Sequence, residues 1–139
     1  MFKSVKVRDY MNREVITLTP ETNLFKAVDI LVANQVSGAP VVDAEGHLVG
    51  VLSESDCLRG ILNEAYFEET CGTVRSLMSE VVETIDVDAD ILKAAAHFVE
   101  RGRRRLPVME QGRLVGHISR RDLLRALKNY NNHGAPKRR

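Results

Sequence analysis

Residues 47–59 read HLVGVLSESDCLR, and residues 113–125 read RLVGHISRRDLLR. Both stretches contain Leu-Val-Gly, then a serine, then an aspartate three residues after that serine, and then Leu-Arg. The serine stands where a predicted strand ends and a predicted helix begins. A chain that repeats such a phrase is predicted to build one structural unit twice.

The repetition extends far beyond this phrase. Aligning the chain with itself pairs Met11 with Met78 at an offset of 67 residues, and Asp56 with Asp122 at an offset of 66. The one-residue difference falls within the predicted turns at 43–46 and 110–112, where a deletion does not disturb an element. The pairs in between include Val15/Val82, Thr17/Thr84, Lys26/Lys93, Ala27/Ala94, Pro40/Pro107, Gly50/Gly116 and Ser53/Ser119.

Each copy predicts the order β-α-β-β-α after a short lead-in, VKVRDYM in the first copy and TVRSLM in the second. Asn23 and Asp90 are good N-caps for helices with apolar 3.6-residue spacing, and a hairpin and a second helix follow. We therefore expect an α/β (α+β) fold with units at 7–66 and 73–130. Residues 131–139 are expected to form a flexible basic tail.

The first long helix, LFKAVDILVA, is apolar around most of its circumference. A helix of this kind is usually buried on two sides, and one small sheet covers only one of them. The second side is expected to meet the other unit or another subunit, which makes a homodimer the expected assembly.

Composition favours a globular protein: 44% of residues are hydrophobic and 28% are charged. No apolar run is long enough to cross a bilayer, and the N-terminus lacks the features of a signal peptide, so we expect no membrane association and a cytoplasmic location. The net charge is −3 over residues 1–67 and +4 over residues 68–139. The second half is thus the better partner for an anion.

These features together resemble the tandem cystathionine-β-synthase (CBS) domain pair, or Bateman module, and the chain looks like a bacterial stand-alone protein of this kind. The resemblance rests on P-V-V-D-x-x-G-x-L-V-G-x-x-S-x-x-D in the first copy and its counterpart in the second, and it covers about residues 7–128. It implies two β-α-β-β-α units packed with pseudo-two-fold symmetry around two clefts. Many family members bind AMP, ADP, ATP, NAD or S-adenosylmethionine in these clefts.

The Ser-x-x-Asp motif suits such a ligand chemically. An aspartate in the first turn of a helix offers two oxygens to the two vicinal hydroxyls of a ribose. The serine can cap the helix, whose free N–H groups and positive dipole favour a phosphate. The resemblance therefore implies a regulatory module that senses an adenosine nucleotide or a related adenosyl ligand for an unidentified protein partner, with no cofactor required.

In the family, each cleft combines the Ser-x-x-Asp of one unit with the first two strands of the other. The first cleft would then take Ser53, Asp56, Val82, Thr84, Arg104 and Arg105. The second would take Val15, Thr17, Val36, Ser37, Gly38, Ala39, Ser119, Arg121 and Asp122. Arg104 and Arg105 favour the first cleft for a phosphorylated ligand, because a strand fixes them better than a helix terminus.

Other functions have weaker support in the sequence. The four histidines are scattered without metal-ligand spacing, and no Walker loop or GxGxxG is present, so we expect neither an enzyme nor a metal site. Nucleic-acid binding through the arginine-rich second unit is a second alternative, although no aromatic residues interleave with the arginines. A third is a structural dimerisation scaffold without a ligand.

Overall fold

The computed structural model describes residues 4–67, 72–80, 83–102 and 105–130. It is a mixed α+β fold, as the sequence predicts. The helices are α1 Val7–Tyr10, α2 Leu24–Ala33, α3 Glu54–Phe67, α4 Val74–Leu77, α5 Ile91–Arg101 and α6 Arg120–Asn129. The strands are β1 Gly38–Val42, β2 Leu48–Ser53, β3 Ile85–Asp86, β4 Arg105–Glu110 and β5 Arg113–Ser119. Val82, Arg104 and the predicted tail 131–139 lie outside the described residues.

The two long central helices begin at the residues that the sequence predicts. The Asn23 side chain accepts a hydrogen bond from the backbone N–H of Lys26 at 2.8 Å. The Asp90 side chain accepts the equivalent bond from Lys93 at 2.9 Å. Each cap satisfies one of the free N–H groups of the first helical turn, which fixes where the helix begins.

Both copies form the predicted hairpin. β1 pairs antiparallel with β2, and β4 pairs antiparallel with β5. The register shifts at equivalent points, between Val41 and Val42 in the first hairpin and between Val108 and Met109 in the second. The duplication thus preserves even the irregularity of the ladder, which is a local bend in one strand.

The first predicted strand of each copy is shorter than its β-rich sequence suggests. In the second copy it is the two-residue β3, which pairs in parallel with β4. In the first copy it is a single parallel bridge between Leu18 and Val41. Pro20 cannot donate to a ladder, and the following turn leads at once into α2.

The chain divides into two compact units that differ from the sequence repeats. The Ser53 unit is Ile16–Val82, and the Ser119 unit is Met1–Val15 together with Glu83–Arg139. Each lead-in therefore belongs with the other copy. In the Ser119 unit, Val7 N–H donates to the Ala89 carbonyl at 2.8 Å, and the backbones of Asn12 and His117 exchange two bonds of 2.8 and 2.9 Å.

Each unit has its own apolar core, and the lead-in valine is part of it. Val74 of α4 packs with Leu24, Val41 and Leu52 in the Ser53 unit. Val7 of α1 packs with Phe98, Val108 and Ile118 in the Ser119 unit. Both valines are fully buried, so the lead-ins are parts of the fold rather than loose connectors. The predicted boundaries at 7–66 and 73–130 follow the sequence repeat. In the structure, however, each lead-in packs with the core of the other copy.

Within the described ranges, no helix is both long and apolar enough to span a bilayer.

A glycine in each second strand allows the lead-in backbone to approach. A Cβ at Gly116 would lie 2.7 Å from the Asn12 carbonyl oxygen, and one at Gly50 would lie 2.9 Å from the Ser79 carbonyl oxygen.

Gly116→Ala is expected to push residue 12 away and lower the free energy of unfolding by about 1–3 kcal/mol. Urea denaturation measures this change. As a control, Lys128→Ala at an exposed position of α6 should stay within about 0.5 kcal/mol of wild type. Equal stability of the two variants would contradict the packing of the first lead-in against β5.

Candidate functional site

The two Ser-x-x-Asp motifs form the same hydrogen-bonded box at the start of α3 and α6. In the first box, the Ser53 backbone N–H donates to Asp56 Oδ2 at 2.8 Å and the Ser53 hydroxyl donates to the same oxygen at 3.0 Å. The Asp56 N–H donates back to Ser53 Oγ at 3.2 Å. The second box has distances of 2.8, 3.0 and 3.3 Å between Ser119 and Asp122. This reciprocal pair is a capping box, so the predicted helix-capping role of the serines is confirmed.

Each box leaves one aspartate oxygen for another partner, and an arginine three residues further on takes it. Arg59 Nη2 pairs with Asp56 Oδ1, and Arg125 Nη2 lies 3.4 Å from Asp122 Oδ1. Arg125 also donates to the Tyr10 carbonyl at 2.9 Å. Arg59 and Arg125 are not among the site residues that the sequence predicts. The shared Leu-Arg at the end of each phrase was the available signal, because residues three apart on a helix are neighbours.

The two aspartates differ in how much of the side chain solvent reaches. The Asp56 side chain is 6% exposed and in close contact with Arg59, whereas the Asp122 side chain is 16% exposed and its arginine contact is long. The Asp122 side chain is therefore the more accessible of the two.

Several predicted site residues lie beside these boxes within the same unit. In the Ser53 unit, Gly38 of β1 pairs with Ser53 of β2, and the Glu54 N–H donates to the Ser37 carbonyl at 2.9 Å. This brings residues 36–39 next to the first box. In the Ser119 unit, Arg105 of β4 pairs with Ser119 of β5, which brings an exposed arginine next to the second box.

The remaining predicted residues divide between the units. Thr17 is exposed in the Ser53 unit, and Thr84 and Arg121 are exposed in the Ser119 unit, where Val15 is half-buried. Val82 and Arg104 lie outside the described residues. Each predicted cleft draws residues from both units, so the assignment of residues to a shared cleft stays a prediction.

The surroundings of the two boxes carry opposite charge. The equivalent positions around Ser53-x-x-Asp56 and Ser119-x-x-Asp122 are Gly38/Arg105, Val51/His117, Glu54/Arg120 and Ser55/Arg121. The first box has one acidic side chain among these positions, and the second has three arginines and a histidine. An anionic group is therefore favoured beside the second box.

His117 stands on β5 two residues before Ser119. Its Nδ1 atom is buried and has no hydrogen-bond partner among the described residues. Burial lowers the pKa of the imidazole below its ordinary value of 6.5, and the positive charge of Arg105 lowers it further, while Asp122 acts in the opposite direction. Both effects favour the neutral form of the His117 imidazole at pH 7.

One group of potential metal ligands is present in the described part of the chain. Asp43, Glu45 and His47 bring one ligand atom each to within 4.8 Å in the β1–β2 turn. Asp43 Oδ1 already accepts the backbone N–H groups of Glu45 at 3.0 Å and His47 at 2.9 Å. These bonds lower the Asp43 pKa, the His47 bond contributing most, and turn formation alone accounts for the arrangement.

The fold and its two boxes define a duplicated α+β module with a capped helix start in each half. The CBS domain profile matches residues 7–63 and 74–129, nearly the whole chain. The chain belongs to the CBS domain family, and it carries two copies of the domain.

Known proteins agree with this assignment. The chain is 29% identical to CBSX2 of Arabidopsis thaliana, whose crystal structure was solved in complex with AMP; the TM-score is 0.78, and the match covers 90% of this chain and 97% of that one. It is 31% identical to the uncharacterized protein MJ1225 of Methanocaldococcus jannaschii over 121 residues, 87% of this chain. It is 30% identical to the A-adding tRNA nucleotidyltransferase of Aquifex aeolicus over 127 residues, 91% of this chain.

The chain spans only part of these two curated relatives. The matched region is 42% of the length of the Methanocaldococcus protein and 15% of the length of the Aquifex enzyme.

The boxes predict a measurable link between site and stability. Asp56→Ala removes the acceptor of the Ser53 N–H and is expected to lower the free energy of unfolding by about 1–3 kcal/mol. Asp56→Asn keeps an oxygen acceptor and should lose clearly less. Urea denaturation of both variants tests this, and an equal loss in the two would contradict the capping role. Variants that test ligand binding should therefore be Asn rather than Ala.

Proposed function

We propose that this chain is a regulatory module that binds an adenosine nucleotide, AMP, ADP or ATP, at its Ser-x-x-Asp boxes and passes the occupancy to a protein partner. The observation that carries the proposal is the pair of matching boxes in a chain that is 29% identical to AMP-bound CBSX2 over 90% of its length. NAD and S-adenosylmethionine share the adenosine group and are the nearest alternative ligands.

The chemistry of the box supports a ribose contact. An ionised carboxylate accepts about four hydrogen bonds, and only Oδ2 of each aspartate is used fully by the serine. The second oxygen faces an arginine, which a ligand hydroxyl can join or displace. Hydrogen bonds to a charged acceptor are worth about 1.5–3 kcal/mol each. Two ribose hydroxyls are thus enough to select for a nucleoside.

The second box is the better site for a phosphate. The N-terminus of α6 carries a positive partial charge, and Arg105, Arg120 and Arg121 add three full charges near it. The sequence pattern favours Arg104 and Arg105 as the phosphate partners of the Ser53 cleft. Because Arg105 pairs with Ser119 in β4–β5, we now assign Arg105 to the phosphate of a ligand at the Ser119 box.

A duplicated apolar surface supports homodimerisation. Large apolar side chains are exposed at the same positions of both copies, on α2 and α3 and on α5 and α6. Val32 is 71% exposed and its counterpart Val99 is 84% exposed. The pairs are Phe25/Leu92, Val32/Val99, Leu58/Leu124 and Ile61/Leu127. Groups of exposed large apolar side chains are typical of an interaction site, and repetition of the same pattern in both copies suits a second copy of this chain.

Regulation by such a module requires that the ligand binds two states of the protein unequally. The partner that responds is then another protein or the second subunit. A ligand-free scaffold and a nucleic-acid binder remain the alternative outcomes of the experiments below, and part of the arginine run that favoured nucleic acid, residues 103–104, lies outside the described residues.

Thermal unfolding with a ligand panel tests the proposed activity. At 100 times its dissociation constant, a bound ligand should add about 2.7 kcal/mol to the free energy of unfolding. We expect AMP, ADP or ATP to produce this shift in wild type, and Asp122→Asn to reduce it more than Asp56→Asn does. The absence of any shift with these three, NAD or S-adenosylmethionine would leave the scaffold reading. A shift with RNA that falls steeply with salt would favour nucleic acid.

Sedimentation velocity tests the homodimer. Val99→Glu places a charge in the exposed apolar surface of α5 and is expected to convert a dimer into a monomer, because an unpaired buried charge costs several kcal/mol. The control is Lys93→Glu, which changes the charge of an exposed residue on the same helix. A wild-type monomer, or a Val99→Glu dimer, would contradict the proposed interface.

A further inference from the structure

Among the described residues, Nδ1 of His117 is the one buried polar side-chain atom that has no hydrogen-bond partner. A buried imidazole nitrogen that makes no hydrogen bond costs free energy, so such a group in a folded protein calls for an explanation. The backbone of His117 is fully used, because it exchanges two hydrogen bonds with Asn12. The unexplained group is therefore the side chain alone.

Folding does not require a histidine at this position. The equivalent residue in the first copy is Val51, which occupies the same place in β2 and makes the same backbone bridge, there to Ser79. A valine on a strand suits the fold and leaves no polar atom unsatisfied. The histidine therefore distinguishes the Ser119 unit from the Ser53 unit without contributing to the architecture that both share.

The neighbours of His117 belong to the anion-favouring box. Side chains alternate along a strand, so His117 and Ser119 are on the same face of β5, opposite the buried Gly116 and Ile118. Arg105 pairs with Ser119, and Pro107 pairs with His117. The charges that act on the imidazole are Arg105 on β4 and Asp122 on α6. Arginine, imidazole, hydroxyl and a helix N-terminus together are groups that bind phosphate.

Building on the proposed function, we propose that His117 recognises the phosphate of a nucleotide bound at the Ser119–Asp122 box, taking up a proton from solvent on binding and donating a hydrogen bond to a phosphate oxygen. His117 is then a specificity residue that selects phosphorylated over unphosphorylated adenosine. The Ser53 box has Val51 where the Ser119 box has His117. It therefore neither selects for a phosphate in this way nor takes up a proton when a ligand binds.

The direction of the pH dependence follows from the charges. Without ligand, burial and Arg105 hold the pKa of His117 below its ordinary value, which favours the neutral imidazole at pH 7. A phosphate neutralises the effect of Arg105 and adds negative charge, which raises the pKa. The complex then holds more protons than the free protein, and nucleotide affinity increases as the pH falls through the range between the two pKa values.

One other titration in the same range is common to wild type and variant, because the second ionisation of a phosphate monoester has a pKa of about 6. The ratio of dissociation constants between a His117 variant and wild type therefore isolates the contribution of His117.

The experiment is isothermal titration calorimetry of AMP and of adenosine, with wild type and His117→Val, at about pH 6 and about pH 8. Valine is the residue that the first copy already has at this position, so the variant is expected to fold. For AMP, the variant should bind about tenfold more weakly than wild type near pH 6, and the ratio should fall toward one near pH 8. For adenosine, the ratio should stay close to one at both pH values.

A pH-independent ratio for AMP, or an equal effect on adenosine, would overturn the role of His117 while leaving the proposed function intact. If wild type binds none of AMP, ADP, ATP and adenosine, the proposed function itself fails, and this inference with it. NMR titration of the His117 ring in wild type is a second measurement that needs no variant. The pKa should lie below 6.5 without ligand and rise when AMP is added, and an unchanged pKa would contradict the proposal.

Discussion

The hydrogen bonds between a serine and the aspartate three residues later are the interaction on which the rest of the structure depends. They begin α3 and α6, they set the turn from strand to helix, and they fix the position of the carboxylate that would hold a ribose. One oxygen of each aspartate serves the fold, and the other, which faces an arginine, is the one that a ligand would join. Structure and proposed function thus share the same side chain, and each limits how the other can change.

Comparison of the two copies shows which residues the fold requires, because these are alike in both, and which can differ around the boxes. The residues that form the boxes and the cores are the same or similar in both copies, as in Ala27 and Ala94 or Val41 and Val108. The residues around the boxes differ, and the differences concentrate positive charge beside Ser119. The duplicated fold gives two boxes of one geometry and different electrostatics, and in the proposed function only the box at Ser119 would select a phosphate.

Much of this fold could be predicted because its signals are local. The caps Asn23 and Asp90, the two hairpins and the serine caps are decided by residues within a few positions of one another. The destination of the lead-ins could not be predicted, because VKVRDYM and TVRSLM have the same pattern and either would fit either core. Only long-range contacts, such as that of Val7 with Ala89, distinguish the two. The burial of His117 Nδ1 also depends on long-range contacts, so the local sequence does not predict it.

The most direct measurement of the central claim is an NMR titration of the backbone amides with AMP. If the Ser-x-x-Asp boxes hold the nucleotide, the amides of residues 119–122 at the start of α6 should shift most, and they should saturate together. Asp122→Asn should weaken the response without moving the amides of α5. Unchanged amides at both boxes under AMP, ADP and ATP, each in large excess, would contradict an adenosine-nucleotide site in this protein.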